Sequence, residues 1–150
     1  MGIRVTGLSA IKANLQRVMT KKDRQSLAWL RQAALKVRDD ARDNAPIDTG
    51  DLEGAIVVKE VGGGRTSRGT FAAKTINVGV DESLLNLGEH SDHDYATTMH
   101  ESTYNLGPKS QAKAAQGKDV GPKYLERALH DNEERLQIEA QQFLKEIVTP

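Results

Sequence analysis

An apolar stripe that stops at a proline constrains this chain more than any other feature. Leu27, Leu30, Ala34, Val37 and Ala41 recur at steps of 3, 4, 3 and 4, the spacing that gathers side chains on one helix face. The pattern predicts a helix from about residue 23 to 44. Pro46 ends it, because its ring disfavours helical backbone at Ala45 and it has no N–H to continue the ladder. The next residues, Asp48-Thr49-Gly50-Asp51-Leu52, are helix-start chemistry. Asp48 or Thr49 can cap a short turn, Gly50 permits a sharp re-entry, and Asp51 with Glu53 places negative charge at the new N-terminus. Residues 55–61 and 71–80 then read as strands. The chain must pass from helix to sheet within one tight junction.

The flanking segments complete the outline. Ile3-Arg4-Val5-Thr6 alternates like a short strand, and Leu8, Ile11, Leu15 and Val18 predict a separate first helix with Ser9 as its N-cap. A last helix from about residue 122 to 148 starts at Pro122 and carries the stripe Leu125, Leu129, Leu136, Ala140, Phe143, Leu144 and Ile147, interrupted by Asn132. The expected fold is α+β in a single domain over residues 1–150. Two N-terminal helices and a long C-terminal helix pack on a small, mostly antiparallel sheet. Two segments are expected as mobile loops: the glycine-rich tip near 62–70, and 82–121 apart from a short run at 95–101. Within the second, residues 110–118 are small and polar. Trp29 lies one position off the stripe and reads as a core or interface residue.

Composition narrows the function classes. Among 150 residues only six are aromatic, so the core must come mainly from Leu, Ile, Val and Ala. There is no cysteine, which excludes disulfides, thiolate metal ligands and cysteine nucleophiles. No apolar run has the length of a membrane span and the first residues lack the centre of a signal peptide, so a soluble chain made inside a cell, with no membrane partner, is expected. Net charge is zero but uneven. Residues 1–45 hold ten Lys/Arg against four Asp/Glu, residues 46–121 seven against eleven, and residues 122–150 four against six. The basic first third could serve nucleic acid, but no aromatic residues interleave as stacking platforms. A solvated helix face, or a surface that meets an acidic neighbouring subunit, fits it better.

Four chemical readings can be weighed against their context. Asp48-Thr49-Gly50 is the aspartic-protease triplet, yet that carboxylate belongs at the end of an apolar strand, and here charged helix-forming residues precede it. Gly64 and Gly69 have the spacing of a phosphate loop, but Thr70-Phe71 stands where Lys and Ser/Thr are required. Glu89, His90, Asp92, His93, Asp94, His100 and Glu101 are metal-ligand types without a defined ligand spacing. No Gly-x-Ser-x-Gly elbow accompanies any serine. The sequence therefore assigns no catalytic residue, no metal and no cofactor.

The order of elements carries a resemblance. A helix ending in Ala45-Pro46-Ile47-Asp48-Thr49-Gly50-Asp51-Leu52 precedes a β-segment, then Tyr95-Ala96 with Glu101, then Tyr124-Leu125-Glu126-Arg127-Ala128-Leu129. This resembles the head–tail joining, or tail-completion, proteins of long-tailed double-stranded DNA phages, the gene-product-ten-like family. The resemblance runs from about residue 8 to 144. Members often have Glu-Phe-Gly-Thr where this chain has Glu101-Ser102-Thr103-Tyr104, so a different local turn is expected there. The resemblance implies a structural virion protein of the neck that completes the tail and joins it to the head connector. It implies a ring, expected to be six-fold, around the DNA passage. The implied partners are further copies of itself, the head-side connector or stopper, and the tail tube or tail terminator, with DNA passing through without sequence-specific binding. Pro46, Asp48, Thr49, Gly50 and Leu52 would be the structural motif; Arg31, Arg38, Arg65, Arg68, Lys113 and Lys118 are candidate interface cations. The alternatives are an aspartic or metal-dependent hydrolase, or a basic-helix nucleic-acid binder.

Overall fold

The computed structural model describes residues 8–64, 67, 74–86 and 95–148. The expected strand at residues 3–6, Arg65 and Arg68 at the hairpin tip, and the His/acid run 89–94 lie outside them. In chain order the elements are α1 (Leu8–Asn44), α2 (Asp51–Ala55), β1 (Ile56–Gly62), β2 (Lys74–Val80), a single 3-10 turn (Glu82–Leu84), α3 (Tyr95–Glu101), α4 (Pro108–Ala114) and α5 (Tyr124–Val148). The architecture is α+β.

The two N-terminal helices predicted from periodicity are one helix of 37 residues. The apolar pattern lapses around Thr20-Lys21-Lys22, but no Gly or Pro stands between Leu8 and Asn44. A gap in the stripe is not a break in the backbone when its residues tolerate a helix. At 1.5 Å per residue α1 is about 55 Å long.

The core lies where the C-terminal half of α1 meets the start of α5, α2 and the sheet. Val37, Ala41, Ala45, Leu52, Ile56, Ala96, Tyr124 and Ala128 form one buried cluster. The α1 stripe holds over Ala34, Val37 and Ala41, whereas Leu30 is 40% exposed. On α5 the buried face is Tyr124, Ala128 and Asn132, one notch from the predicted stripe, and Leu129 is 57% exposed. Ala41 and Ala128 are small and let the two helices approach along this seam, while Leu125 and Leu136 of the predicted stripe pack half-buried against the core. Trp29 joins the pair further out, stacked on Phe143 with centroids 5.8 Å apart. Asn132 is the polar lock of the seam. Its Nδ2 donates to Asp40 Oδ2 at 2.6 Å and to the Ala128 carbonyl at 2.8 Å, and its Oδ1 accepts from Arg135. Burial pushes the Asp40 carboxyl up, but the bonds from Asn132 and Lys36, with the Lys36 and Arg135 charges, hold it below its ordinary value.

β1 and β2 pair antiparallel, Ile56 opposite Val80, Val58 opposite Val78 and Glu60 opposite Ile76. Alternation puts these residues on one face, and α1 packs against both strands. The strands agree with the expected ones to within a few residues; 71–73 lie outside the described residues. Gly62, Gly63 and Gly64 all have positive φ, the left-handed backbone that lets the chain leave β1 sharply.

At the other end of the hairpin, Asp81 joins sheet and loop. Its N–H donates to the Ala55 carbonyl at 2.8 Å, and its carboxylate accepts from Ser83 N and Oγ and from Lys59 Nζ at 2.7 Å. The Lys59 bond, then the Ser83 hydroxyl, draw the Asp81 carboxyl down to about 2. A carboxyl depressed on folding stabilises the fold above its unfolded value of 3.8, and that contribution is lost as pH falls through about 2. A carboxyl-detected NMR titration should therefore find the Asp81 midpoint near 2, and Lys59→Met should move it towards 3.8.

Candidate assembly site at the helix–sheet junction

The sequence motif builds the junction between α1 and the sheet. Ala45 N donates to the Ala41 carbonyl at 2.9 Å, and buried Pro46 ends the helix. Gly50 is the residue preceding α2, at φ 97°, a conformation that other residues adopt at a cost. The capping differs from expectation. No side chain caps α2; instead Thr49 Oγ1 donates to Asp51 Oδ2 at 2.7 Å and accepts weakly from Asp51 N at 3.4 Å. Asp48 is exposed and contributes its backbone carbonyl, which accepts from Lys109 Nζ at 2.5 Å. With φ near +97° at the helix entry, the backbone of Gly50 makes the turn that a cap would otherwise fix. Leu52 is buried and anchors α2 in the core.

Three side chains tie the junction together. Arg42 sends Nε and Nη2 to the Ile56 carbonyl at 3.0 and 2.8 Å, fastening α1 to the end of α2. Ser110 on α4 accepts from Ile47 N at 2.9 Å and donates to Ile47 O at 3.0 Å. Lys113 donates to the Arg42 and Ala45 carbonyls at 2.6 and 2.8 Å and pairs with Glu53. A cation on the last carbonyls of α1 also opposes the helix dipole.

These contacts correct one expectation and give a second residue a place in the fold. Residues 108–114, read as part of an irregular segment, form α4, because Gly107-Pro108 supplies a helix entry and a first-turn proline. Lys113, named as a candidate interface cation, has a side chain 15% exposed that holds the junction. The other predicted cations are distributed differently. Arg31 pairs with Glu60 across to β1, Arg38 with its neighbour Asp39, and exposed Lys118 with Asp43. Among the described residues, none of these three shares its partner with another predicted cation. Sequence reasoning missed Ser110 and the junction contacts of Lys113, and Gly107-Pro108 was a signal that could have found α4.

Beside the junction opens a cleft of about 450 Å³, lined by Pro46, Ile47, Tyr95, Met99, Tyr104 and Pro108 among others. Tyr104 Oη donates to the Met99 carbonyl at 3.0 Å. Burial, then the charges of Asp48 and Asp51, raise the Tyr95 hydroxyl above its usual pKa; burial and Tyr95 raise Tyr104. The cleft is thus an aromatic and proline-lined hollow with an acidic side.

His100 and Glu101, the described remainder of the His/acid cluster, clasp α3 to α5. His100 Nδ1 lies 2.8 Å from Glu101 Oε1, Glu101 pairs with Lys123, and the imidazole meets the edge of Tyr124. Lys123 itself has φ 58°, and its N–H donates to the His100 carbonyl at 2.7 Å. Among the described residues no three His, Cys, Asp or Glu side chains gather as a metal set, and no helix is long and apolar enough to cross a membrane.

The fold and this junction define a small α+β protein whose motif residues make a structural corner. Residues 9–96 match the family model described as "Bacteriophage HK97-gp10, putative tail-component", and the chain belongs to that family. The matched span holds α1, the junction, the hairpin and the start of α3. Membership makes the chain a phage tail-component structural protein, a constituent of the virion. No curated protein and no solved structure matches it.

Proposed function

We propose that this protein completes the phage tail and joins it to the head-side connector, as a ring of identical subunits around the DNA passage. The observation that carries the reading is the match of residues 9–96 to a tail-component family, with the motif at residues 45–52 serving as the corner between α1 and the sheet. A closed ring of six copies needs two different patches per subunit, one for each neighbour. The basic first third and the acidic middle of the chain supply opposite charge for such a pairing. The neighbours above and below would be the connector or stopper and the tail tube or tail terminator. DNA would pass through without base readout.

The test is a phage lacking the gene. Its lysates should contain DNA-filled heads and separate tails, with infectious titre lower by several orders of magnitude, and added purified protein should restore joined particles. Joined virions at normal yield without the protein would overturn the proposal.

A further inference from the structure

Between the sheet and α5 runs an open groove of about 890 Å³. On the helix side Leu30, Ala34 and Val37 of α1 and Leu125 and Leu129 of α5 line it; Leu30 and Leu129 are exposed. Opposite them Lys74, Thr75, Ile76, Asn77 and Val78 of β2 line it in unbroken succession. Successive residues of a strand point to opposite faces, so the edge of β2, not a face, borders the groove. The register says which backbone groups lie on that edge. Asp81 N–H donates to the Ala55 carbonyl and Ile56 stands opposite Val80, so the hydrogen-bonded pairs fall at Val57–Gly79, Lys59–Asn77 and Val61–Thr75. The N–H and C=O of Ile76 and Val78 therefore point away from β1. On β1 the same phase turns the Ile56 carbonyl outward, and there Arg42 takes it. Among the described residues no backbone group meets Ile76 or Val78 from the groove side. Edge donors and acceptors that face leucines call for a further backbone partner.

We propose that the groove receives an extended segment of another virion protein, which adds a third strand along β2. A helix could fill the hollow, but its backbone bonds are internal, and it would leave Ile76 and Val78 unmet. A second copy of this chain does not fit. One face of its hairpin lies under its own α1, and the other would set Lys59, Thr75 and Asn77 against the leucines. The occupant is a strand with apolar residues at alternate positions, seated over Ala34 and beside Leu129. Charges at the two ends give it a direction. Val78 packs against the core at the end where Glu126 stands two residues beyond buried Tyr124, and Lys74 stands at the hairpin-tip end. The pairs these two make within the chain are long, 3.6 Å from Lys123 to Glu126 and 3.7 Å from Lys74 to Glu60. A base beside Glu126 and an acid beside Lys74 complement them. The docking requires the chain to be in a virion, as family membership has it, and holds with or without a ring.

Amide hydrogen exchange, read residue by residue on the free protein and on intact particles, tests this. In the free protein Ile76 and Val78 should exchange freely while Thr75 and Asn77, bonded to β1, stay protected; in particles all four should be protected. The absence of cysteine adds a second readout. Leu129→Cys should react with a maleimide in the free protein and lose that reaction in particles. If Ile76 and Val78 keep exchanging in particles, the strand is overturned: loss of labelling would then mean that a helix or another surface covers the groove, and unchanged labelling that nothing does. Protection that already appears in the free protein and rises with its concentration would assign the groove to a second copy, and would overturn the proposed occupant.

Discussion

Tyr124→Ala should leave a protein that barely folds. Tyr124 is fully buried at the first turn of α5, its ring meets the His100 edge at 4.9 Å, and its hydroxyl donates to the Ala96 carbonyl at 3.2 Å. It is the largest side chain in a core otherwise made of Val, Ala, Leu and Ile. Truncating a buried aromatic costs about 3–5 kcal/mol, a large share of the ~5–15 kcal/mol by which such a domain is stable. Thermal or urea unfolding should show a collapsed midpoint, or the variant should be recovered only from the insoluble fraction. Tyr124→Phe keeps the volume and loses one hydrogen bond, so it should cost only ~1 kcal/mol. Near-equal losses for the two variants would mean the hydroxyl rather than the ring sustains the core.

The second large effect belongs to Lys113. Lys113→Met keeps the length and apolar stem of the side chain but strips its donors from two α1 carbonyls and from Glu53. Leaving partly buried acceptors and a carboxylate without their cation should cost roughly 2–3 kcal/mol, below a fully buried pair because both side chains keep some solvent contact. Urea unfolding should show a lower midpoint at an unchanged slope. Adding Glu53→Gln to Lys113→Met should then cost much less than Glu53→Gln alone. Strict additivity of the two changes would show that the ion pair contributes nothing.

The parts of this fold legible in the sequence are those written by neighbours in the chain. The helix over residues 23–44, its stop at Pro46, the short α2 and both strands follow from periodicity and turn chemistry. The buried face of α5 does not. Leu125 and Leu136 of the predicted stripe pack half-buried against the core while Leu129 is exposed; Ala34 and Ala41 on α1 present a shallow surface, and the fully buried line on α5 is Tyr124, Ala128 and Asn132. Asn132 was visible as an interruption; its partner Asp40, 92 residues away, was not. The same limit hid α4, a polar helix held by Ser110 and Lys113, whose partners lie 60 to 71 residues earlier. At the candidate site, Gly50 and Pro46 could be read as corner residues, while the cleft depends on α3 and the 104–110 segment arriving beside them.

The seam between α1 and α5 also sets a timetable. Its two halves are separated in the chain by the junction, the hairpin, α3 and α4, so a ribosome finishes α1 roughly 4–16 s before it begins α5 at ~5–20 residues per second. During that interval Val37 and Ala41 can be covered by the sheet but not by Tyr124 and Ala128. The hairpin, whose strands are far nearer in the chain than α1 and α5, closes first because its loop-closure entropy is smaller. The nascent chain therefore presents a half-covered greasy helix to solvent until its last long helix arrives, and that window is when it is open to chaperones and to mispairing with a neighbouring nascent chain.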